Sequence, residues 1–361
     1  MTDTILCIDI GTSSLKAALL PDNFKNQEIF VSRKEFPKSA FEEQNSAEFY
    51  LPALKEALLE LHEKNPDYGI EAVCISGNGP TVISESGKTL LYSDEIPNSA
   101  LRRTKSLFIP RLIGFKEKFP DDWRDTAHVF GSNEFMIYEL TGQAVSVLPA
   151  DGFLQAYWTS DELRDCGFSD SDIKKIPPLK KMGTLAGKVS GRAALATGLL
   201  EGTLVFAGAP DFVVALIGTG TIFPGRLCYR AGTSEGLNLC TSKPVFMDGL
   251  RTLPGVLPGL WNLSYLVDSA RPGDEEFCRG INLLRHAANL SGERFPDFMT
   301  ITGGQALSGE VVLKKERLSG LKIRKLPCAG ACELLGDLIL ARVALGDFDD
   351  IEEAVFALIG G

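Results

Sequence analysis

The chain has 361 residues, more than one ordinary core organises, so two domains are expected. Its net charge of −10 argues against a nucleic-acid partner or an anionic membrane surface, although a small glycine-rich site can hold phosphate inside an acidic protein. No apolar run reaches transmembrane length, the opening Met-Thr-Asp-Thr lacks a signal peptide's basic region, and eight scattered cysteines form no disulfide framework, so a cytoplasmic chain with reduced thiols is expected. Cys328 and Cys332 lack the second ligand pair a zinc site needs, and three histidines (His62, His128, His286) leave little room for histidine chemistry.

Ile5 to Ile8 is an apolar run of strand length, broken by Asp9. Gly11, Thr12, Ser13 and Ser14 follow, then Lys16 and the apolar Ala17 to Leu20, which predicts strand, tight turn, strand. The turn's amides and hydroxyls suit phosphate oxygens, and Asp9 suits a Mg²⁺ ion held through water. Lys16 lies within reach of such a phosphate, but reads rather as a solvated strand lysine. Residues 31–38 suggest another strand and turn. A helix with Ser46 as N-cap is expected, with Phe49, Leu51, Leu54, Leu58, Leu59 and Leu61 recurring at roughly helical spacing. Ile70 to Ile75 reads as a buried strand, ending in Ser76-Gly77-Asn78-Gly79-Pro80, the kind of loop at which an open α/β sheet places ligand contacts. A hairpin is expected over 82–92, followed by Asp94.

Residues 100–143 look helical, with a break at Pro120-Asp121-Asp122 and a stop at Gly142. Residues 144–190 look loop-rich, and a short helix ends at Gly198, the expected seam between domains 1–198 and 199–361. The second half restarts with a strand over 203–207, then Gly208-Ala209-Pro210-Asp211, with Asp211 at the start of an apolar helix. Gly232-Thr233-Ser234-Glu235-Gly236 is a second small-residue loop. Residues 243–264 look irregular. Helices are expected over 275–290, 333–344 and 351–359, and a strand over 299–302 is broken by Gly303-Gly304-Gln305. Two α/β lobes with a cleft between them is the simplest architecture.

These loops suit phosphoryl transfer, which needs phosphates held, charge neutralised and an acceptor hydroxyl aligned. Gly11-Thr12-Ser13 and Gly232-Thr233-Ser234 supply two phosphate grips, Asp9 a metal contact, Asp211 a proton acceptor, and Gly303-Gly304 a flat surface for a nucleotide. A rival reading takes Gly232-x-Ser234-x-Gly236 with His286 and Asp268 or Asp274 as a hydrolase, but no oxyanion-loop motif accompanies it and His286 falls within a helix.

In motif order, Asp9-Ile-Gly-Thr-Ser, Glu43-Gln44, Ile75-Ser-Gly, Leu140-Thr-Gly, Gly208-Ala-Pro-Asp211, Gly232-Thr-Ser, Thr302-Gly-Gly and Glu333-Leu-Leu-Gly resemble the FGGY family of carbohydrate kinases across nearly the whole chain. The resemblance implies the two-lobed sugar kinase/Hsp70/actin-like (ribonuclease H-like) α/β fold with an interdomain cleft. It also implies an N-terminal sugar-binding lobe and a C-terminal ATP-binding lobe. The expected activity is ATP- and Mg²⁺-dependent phosphorylation of a ketose such as xylulose or ribulose, or of glycerol. Residue by residue, Asp211 matches the catalytic base, and Asp9, Thr12 and Ser13, with Gly11, match the metal and phosphate loop. Gly232, Thr233 and Ser234 match the second phosphate loop. Gly303 and Gly304 match the nucleotide loop, beside Gln305. Asn78, Asp94 and Phe212 fall at acceptor positions where members usually carry glutamine, a Trp-Asn-Asp stretch and asparagine. The stretch from Trp261 to Glu276 is short for the family. A scaffold that binds sugar or nucleotide without turnover is the alternative. The implied partners are ATP and a small sugar or polyol, with no nucleic acid and no membrane, and with room for a homodimer.

Overall fold

The run from Ile5 to Ile8 lies in β1 (Thr2–Ile10), whose inner residues are buried on both faces, which is why the run is continuously apolar. The computed structural model describes residues 2–24, 29–98, 104, 106–232, 235–268 and 273–360. Two compact units divide the chain: Met1–Pro21 with Phe30–Asp211, and Asp22–Ile29 with Phe212–Gly361. The seam expected at 198/199 falls inside the first unit, because the strand after it joins the first unit's sheet.

In the first unit, β1 turns back into β2 (Ser14–Leu20), which also pairs with β3 (Ser32–Glu35). On the other side of β1 lies β4 (Tyr68–Gly77), parallel to it. β5 (Val82–Ser84), β6 (Thr89–Leu90) and β7 (Val129–Phe130) form a small separate sheet, and β8 (Ser146–Leu148) pairs with β9 (Leu179–Lys181). β10 (Leu185–Lys188) and β11 (Leu204–Pro210) complete the main sheet, in the order β10-β11-β4-β1-β2-β3. Its helices are α1 (Lys38–Glu42), α2 (Tyr50–Lys64), α3 (Ile109–Lys118), α4 (Pro120–Asp125), α5 (Ser132–Thr141), α6 (Ser160–Asp165), α7 (Asp170–Ile173) and α8 (Gly191–Thr197). α2 buries Tyr50, Leu54, Leu58 and Leu61 in the same core as Leu6, Ile8 and Leu19 of the sheet.

α9 (Asp211–Gly218) leads into the second unit. Its sheet runs β14 (Arg251–Pro254), β15 (Trp261–Leu266), β13 (Glu235–Thr241), β12 (Leu227–Ala231), β16 (Phe298–Thr302), β17 (Lys322–Lys325). α10 (Gly273–Ser291) lays Phe277, Ile281 and Leu284 against Tyr229, Leu237 and Leu239. α11 (Gly309–Ser319), α12 (Glu333–Leu345) and α13 (Ile351–Leu358) complete it.

Several expectations are corrected, each for a local reason. Ser46 opens a 3₁₀ turn, Ser46–Phe49, and α2 starts at Tyr50. A helix begun at Ser46 would put Pro52 in its interior, whereas a start at Tyr50 places it in the first turn, where its missing N–H costs nothing. The break expected at 120–122 falls one residue earlier, at Phe119 between α3 and α4, and Pro120 is the first residue of α4, for the same reason. Residues 243–264 hold two strands. In β15, Leu263 and Tyr265 face the core while Asn262 and Ser264 alternate with them, a pattern hidden by the prolines and glycines of the β14–β15 turn. α11 and β17 were not anticipated. Residues 100–103 and 105 of the expected helical stretch lie outside the described residues. No helix of the described residues is long and apolar enough to cross a membrane, and none of the eight cysteines is in a disulfide.

α9 and α12 approach at two glycines. A Cβ on Gly218 would lie 1.8 Å from the Cys332 carbonyl oxygen, and one on Gly336 2.1 Å from that of Val214. Backbone cannot yield as a side-chain tip can, so Gly336→Ala is expected to destabilise the chain by about 2–3 kcal/mol. A urea-unfolding midpoint equal to wild type would show that the two helices are free to separate.

Candidate active site

Parallel strands in register bring the first unit's candidate residues to one edge. Ile10 of β1 pairs with Gly77 of β4, and Gly77 with Pro210 of β11, so the three strands end in step. The residues just before or beyond those ends are Asp9 and Gly11, Asn78, and Asp211. This is the carboxyl edge of an open α/β sheet, where strand ends leave room for ligands. Asp211 is partly exposed, at the first position of α9.

At β1 the turn is tight: the Gly11 N–H donates to the Ser14 carbonyl (2.9 Å), leaving Thr12 and Ser13 half-buried at its tip. Lys16, expected in solvent, lies opposite Asp9 in the β1–β2 register, and its Nζ sits 2.9 Å from Asp9 Oδ2. Side chains directly opposite on one face of an antiparallel pair meet in this way. Asp9 is only 2% exposed, and its other oxygen, Oδ1, is buried with no hydrogen-bond donor. A carboxylate oxygen withdrawn from water without a donor is costly, and the waters of a hydrated Mg²⁺ ion are donors, so the residue fits a metal held through water. Among the described residues no group of three or more His, Cys, Asp or Glu side chains gathers as a metal site.

Beyond β4 lies a cavity about the size of one water molecule, lined among others by Gly77, Asn78, Phe108, Glu134, Tyr157 and Pro210. Asn78, an expected substrate contact, has its side chain held by the scaffold. Its Nδ2 donates to the Ile10 carbonyl (3.0 Å), its Oδ1 accepts from the Thr81 hydroxyl (2.6 Å), and its own carbonyl accepts from Ser132 (2.6 Å). The start of α5 thus docks on the loop so closely that a Cβ on Gly77 would lie 2.4 Å from Ser132 Oγ. Asp94 holds its own turn, accepting from the Leu91 N–H (2.9 Å) and the Gln44 amide (3.4 Å). Phe212, half-buried, is the second residue of α9.

Two cavity residues were not singled out in the sequence, where 132–141 shows only a helix. Asn133 is 6% exposed, and its Nδ2 is buried without an acceptor. Glu134 closes a capping box, accepting from the Gly131 N–H with one oxygen and from the Val147 N–H (2.6 Å) with the other. The two donors favour the carboxylate, but burial outweighs them and pushes its pKa up to about 7.

In the second unit, a Cβ on Gly303 (φ +96°) would lie 2.6 Å from the Ala231 carbonyl and 2.8 Å from the Gly232 nitrogen, so the expected nucleotide loop packs on the β12–β13 turn. Gly304, by contrast, faces open space. Gln305 is engaged internally, its Nε2 2.5 Å from Glu235 Oε1. Gly232 is exposed, while Thr233 and Ser234 lie outside the described residues. The hydrolase reading loses its other parts: His286 is exposed in the middle of α10, and Asp274 is paired with Lys314 at 2.6 Å.

Strand order and site edge define an α/β fold of the sugar-kinase, actin-like class. No family model matches the chain. It is similar to autoinducer-2 kinase of Enterobacter sp. (24% identical, over 71% of this chain and 55% of that protein) and to xylulose kinase of Bacillus subtilis (26%, 64% and 52%). The chain therefore spans about half the length of these relatives, which are carbohydrate kinases of the FGGY family. In three dimensions it resembles the ligand-bound xylulose kinase of Lactobacillus acidophilus (TM-score 0.74, 16% identity, 98% of this chain and 91% of that one). Plasmodium falciparum glycerol kinase with ADP superposes similarly (TM-score 0.71, 13%, 99% and 92%).

Glu134 generates a pH-dependent stability. Its pKa is about 7 folded against 4.5 for an unperturbed glutamate, so the folded chain binds the extra proton between those values. Its contribution is fully present below about pH 4.5 and is lost as pH rises to about 7, a change of about 3 kcal/mol. Glu134→Gln places an NH₂ against one of the two backbone donors and is expected to cost about 1–2 kcal/mol at pH 5. In urea melts at pH 5 and pH 8, wild type should lose more stability than the variant over that interval; parallel losses would refute the assignment.

Proposed function

We propose that the chain is an ATP-dependent carbohydrate kinase that transfers a phosphoryl group to a hydroxyl of a small sugar or polyol. The observation that carries this reading is the common edge at which β1, β4 and β11 end, presenting Asp9, the Gly11–Ser13 turn and Asp211 together. In this reading Asp211 accepts the proton of the attacking hydroxyl. A carboxylate suffices, because phosphoryl transfer is largely dissociative and the proton leaves late. The Gly11–Ser13 amides and hydroxyls grip phosphate oxygens, and Asp9 holds Mg²⁺ through its waters, the ion neutralising phosphate charge when bound. The second unit supplies the nucleotide half. Gly232, Thr233 and Ser234 contact phosphate, and Gly303 and Gly304 give a side-chain-free surface for the nucleotide. Gln305, tied to Glu235, keeps that loop in shape. The acceptor belongs to the first unit, and xylulose, ribulose and glycerol are its candidate classes. Its subsite lies by the Asn78 loop, with Asp94 shaping the neighbouring turn and Phe212 giving an apolar contact beside the base.

A second reading, binding without turnover, is favoured by Phe212, which cannot hydrogen-bond a sugar next to Asp211. The same experiments separate the two readings. ADP release with Mg²⁺ and a panel of ketoses and polyols should show turnover in wild type and a loss of about 10²- to 10⁴-fold in Asp211→Asn, with ATP affinity unchanged. Sugar binding with no turnover in wild type, unaltered by Asp211→Asn, would establish the binder instead.

Gly304→Val tests the nucleotide loop at a position where a Cβ meets nothing within 4 Å among the described residues. Weaker ATP binding is expected, with an unchanged melting temperature and unchanged sugar affinity. Normal ATP binding would move the nucleotide elsewhere.

A further inference from the structure

Among the described residues, the cavity beside the Asn78 loop holds a buried side-chain donor with no partner. Asn133 lines it, and its Nδ2 is buried with no acceptor, whereas both oxygens of Glu134 and both amide atoms of Asn78 are engaged. A buried donor without a partner costs roughly 1–3 kcal/mol, and native proteins leave few. Such a donor calls for an oxygen that arrives with a ligand. The space is about that of one water molecule, so it takes a single hydroxyl or carbonyl oxygen. Phe108 and Tyr157, with ring centroids 4.5 Å apart, form an aromatic wall of the cavity. The adjacent Glu134 carboxyl disfavours an anionic group, and the donor itself disfavours an ammonium. A neutral oxygen function is what remains.

We propose that Asn133 is a specificity-determining residue of the acceptor site, its Nδ2 donating to one hydroxyl or carbonyl oxygen of a neutral polyol or ketose. This rests on the reading of the first unit as the acceptor half. It goes beyond that reading by naming a donor and by excluding sugar acids. The backbone already in place delivers the residue: Ser132 pins α5 to the Asn78 carbonyl, which leaves Asn133 facing the cavity in the helix's first turn.

The test is calorimetric titration of the full chain, without nucleotide, with xylulose, ribulose, glycerol and gluconate. Wild type, Asn133→Leu and Asn133→Ala are compared. Leucine keeps the shape and removes the donor, and alanine covers the case in which leucine impairs folding. The expected result is binding of at least one neutral compound by wild type, weakened roughly 10- to 100-fold in either variant. The urea midpoint of Asn133→Leu should be unchanged or raised, since an unpaired buried donor has been removed. Equal affinities in wild type and variants would mean that the amide holds only structural water, and would overturn the proposal. So would gluconate as the tightest ligand, or no binding of any neutral compound. Because binding is read without ATP, a chain that binds through Asn133 but does not phosphorylate refutes the kinase reading alone.

Discussion

The structure depends on three parallel strands that stop at the same level. Had β4 slipped by one residue against β1, every side chain on it would have changed face, and the Asn78 loop would no longer lie level with Asp9 and Asp211. Burial of alternate faces enforces the register: Val73 and Ile75 of β4 lie in the same core as Leu6 and Ile8 of β1 and Val205 and Ala207 of β11. The hydrophobic effect therefore positions the polar edge, although no polar residue there contributes to it.

Polar groups then lock what burial has placed. Asn78 ties β4's end to Ile10 of β1 and to Ser132 of α5, so one residue couples two strands and a helix. Lys16 holds one oxygen of Asp9 and leaves the other without a donor. In the second unit the same device is built from Glu235, which accepts from both Tyr229 and Gln305 and so fixes the loop that follows β16. In each case an internal bond holds the side chain in place, and of Asn78, Asp9 and Glu235, Asp9 alone keeps an oxygen without a donor.

Much of this was legible in the chain. The strand–turn–strand at the start follows from an apolar run ended by Asp9 and Gly11. The helix ends at Gly142 and Gly198 follow from the left-handed φ those positions adopt, 72° and 89°. The order of glycine-bearing loops was sufficient to suggest a sugar-kinase fold, and strand order agrees. The roles of side chains were less legible. Asn78 and Gln305 sit in ligand-type loops, yet both bond internally, because a polar side chain takes whichever partner packing brings within reach.

The sequence by itself determined the elements and the loops that join them, because periodicity, glycine and proline act over a few residues. Tertiary structure alone decided which loops share an edge and that Asn133 rather than Asn78 keeps an open donor beside the cavity. Those outcomes depend on strand register and on helix α5 docking at Gly77, contacts between residues more than fifty positions apart that no local pattern encodes.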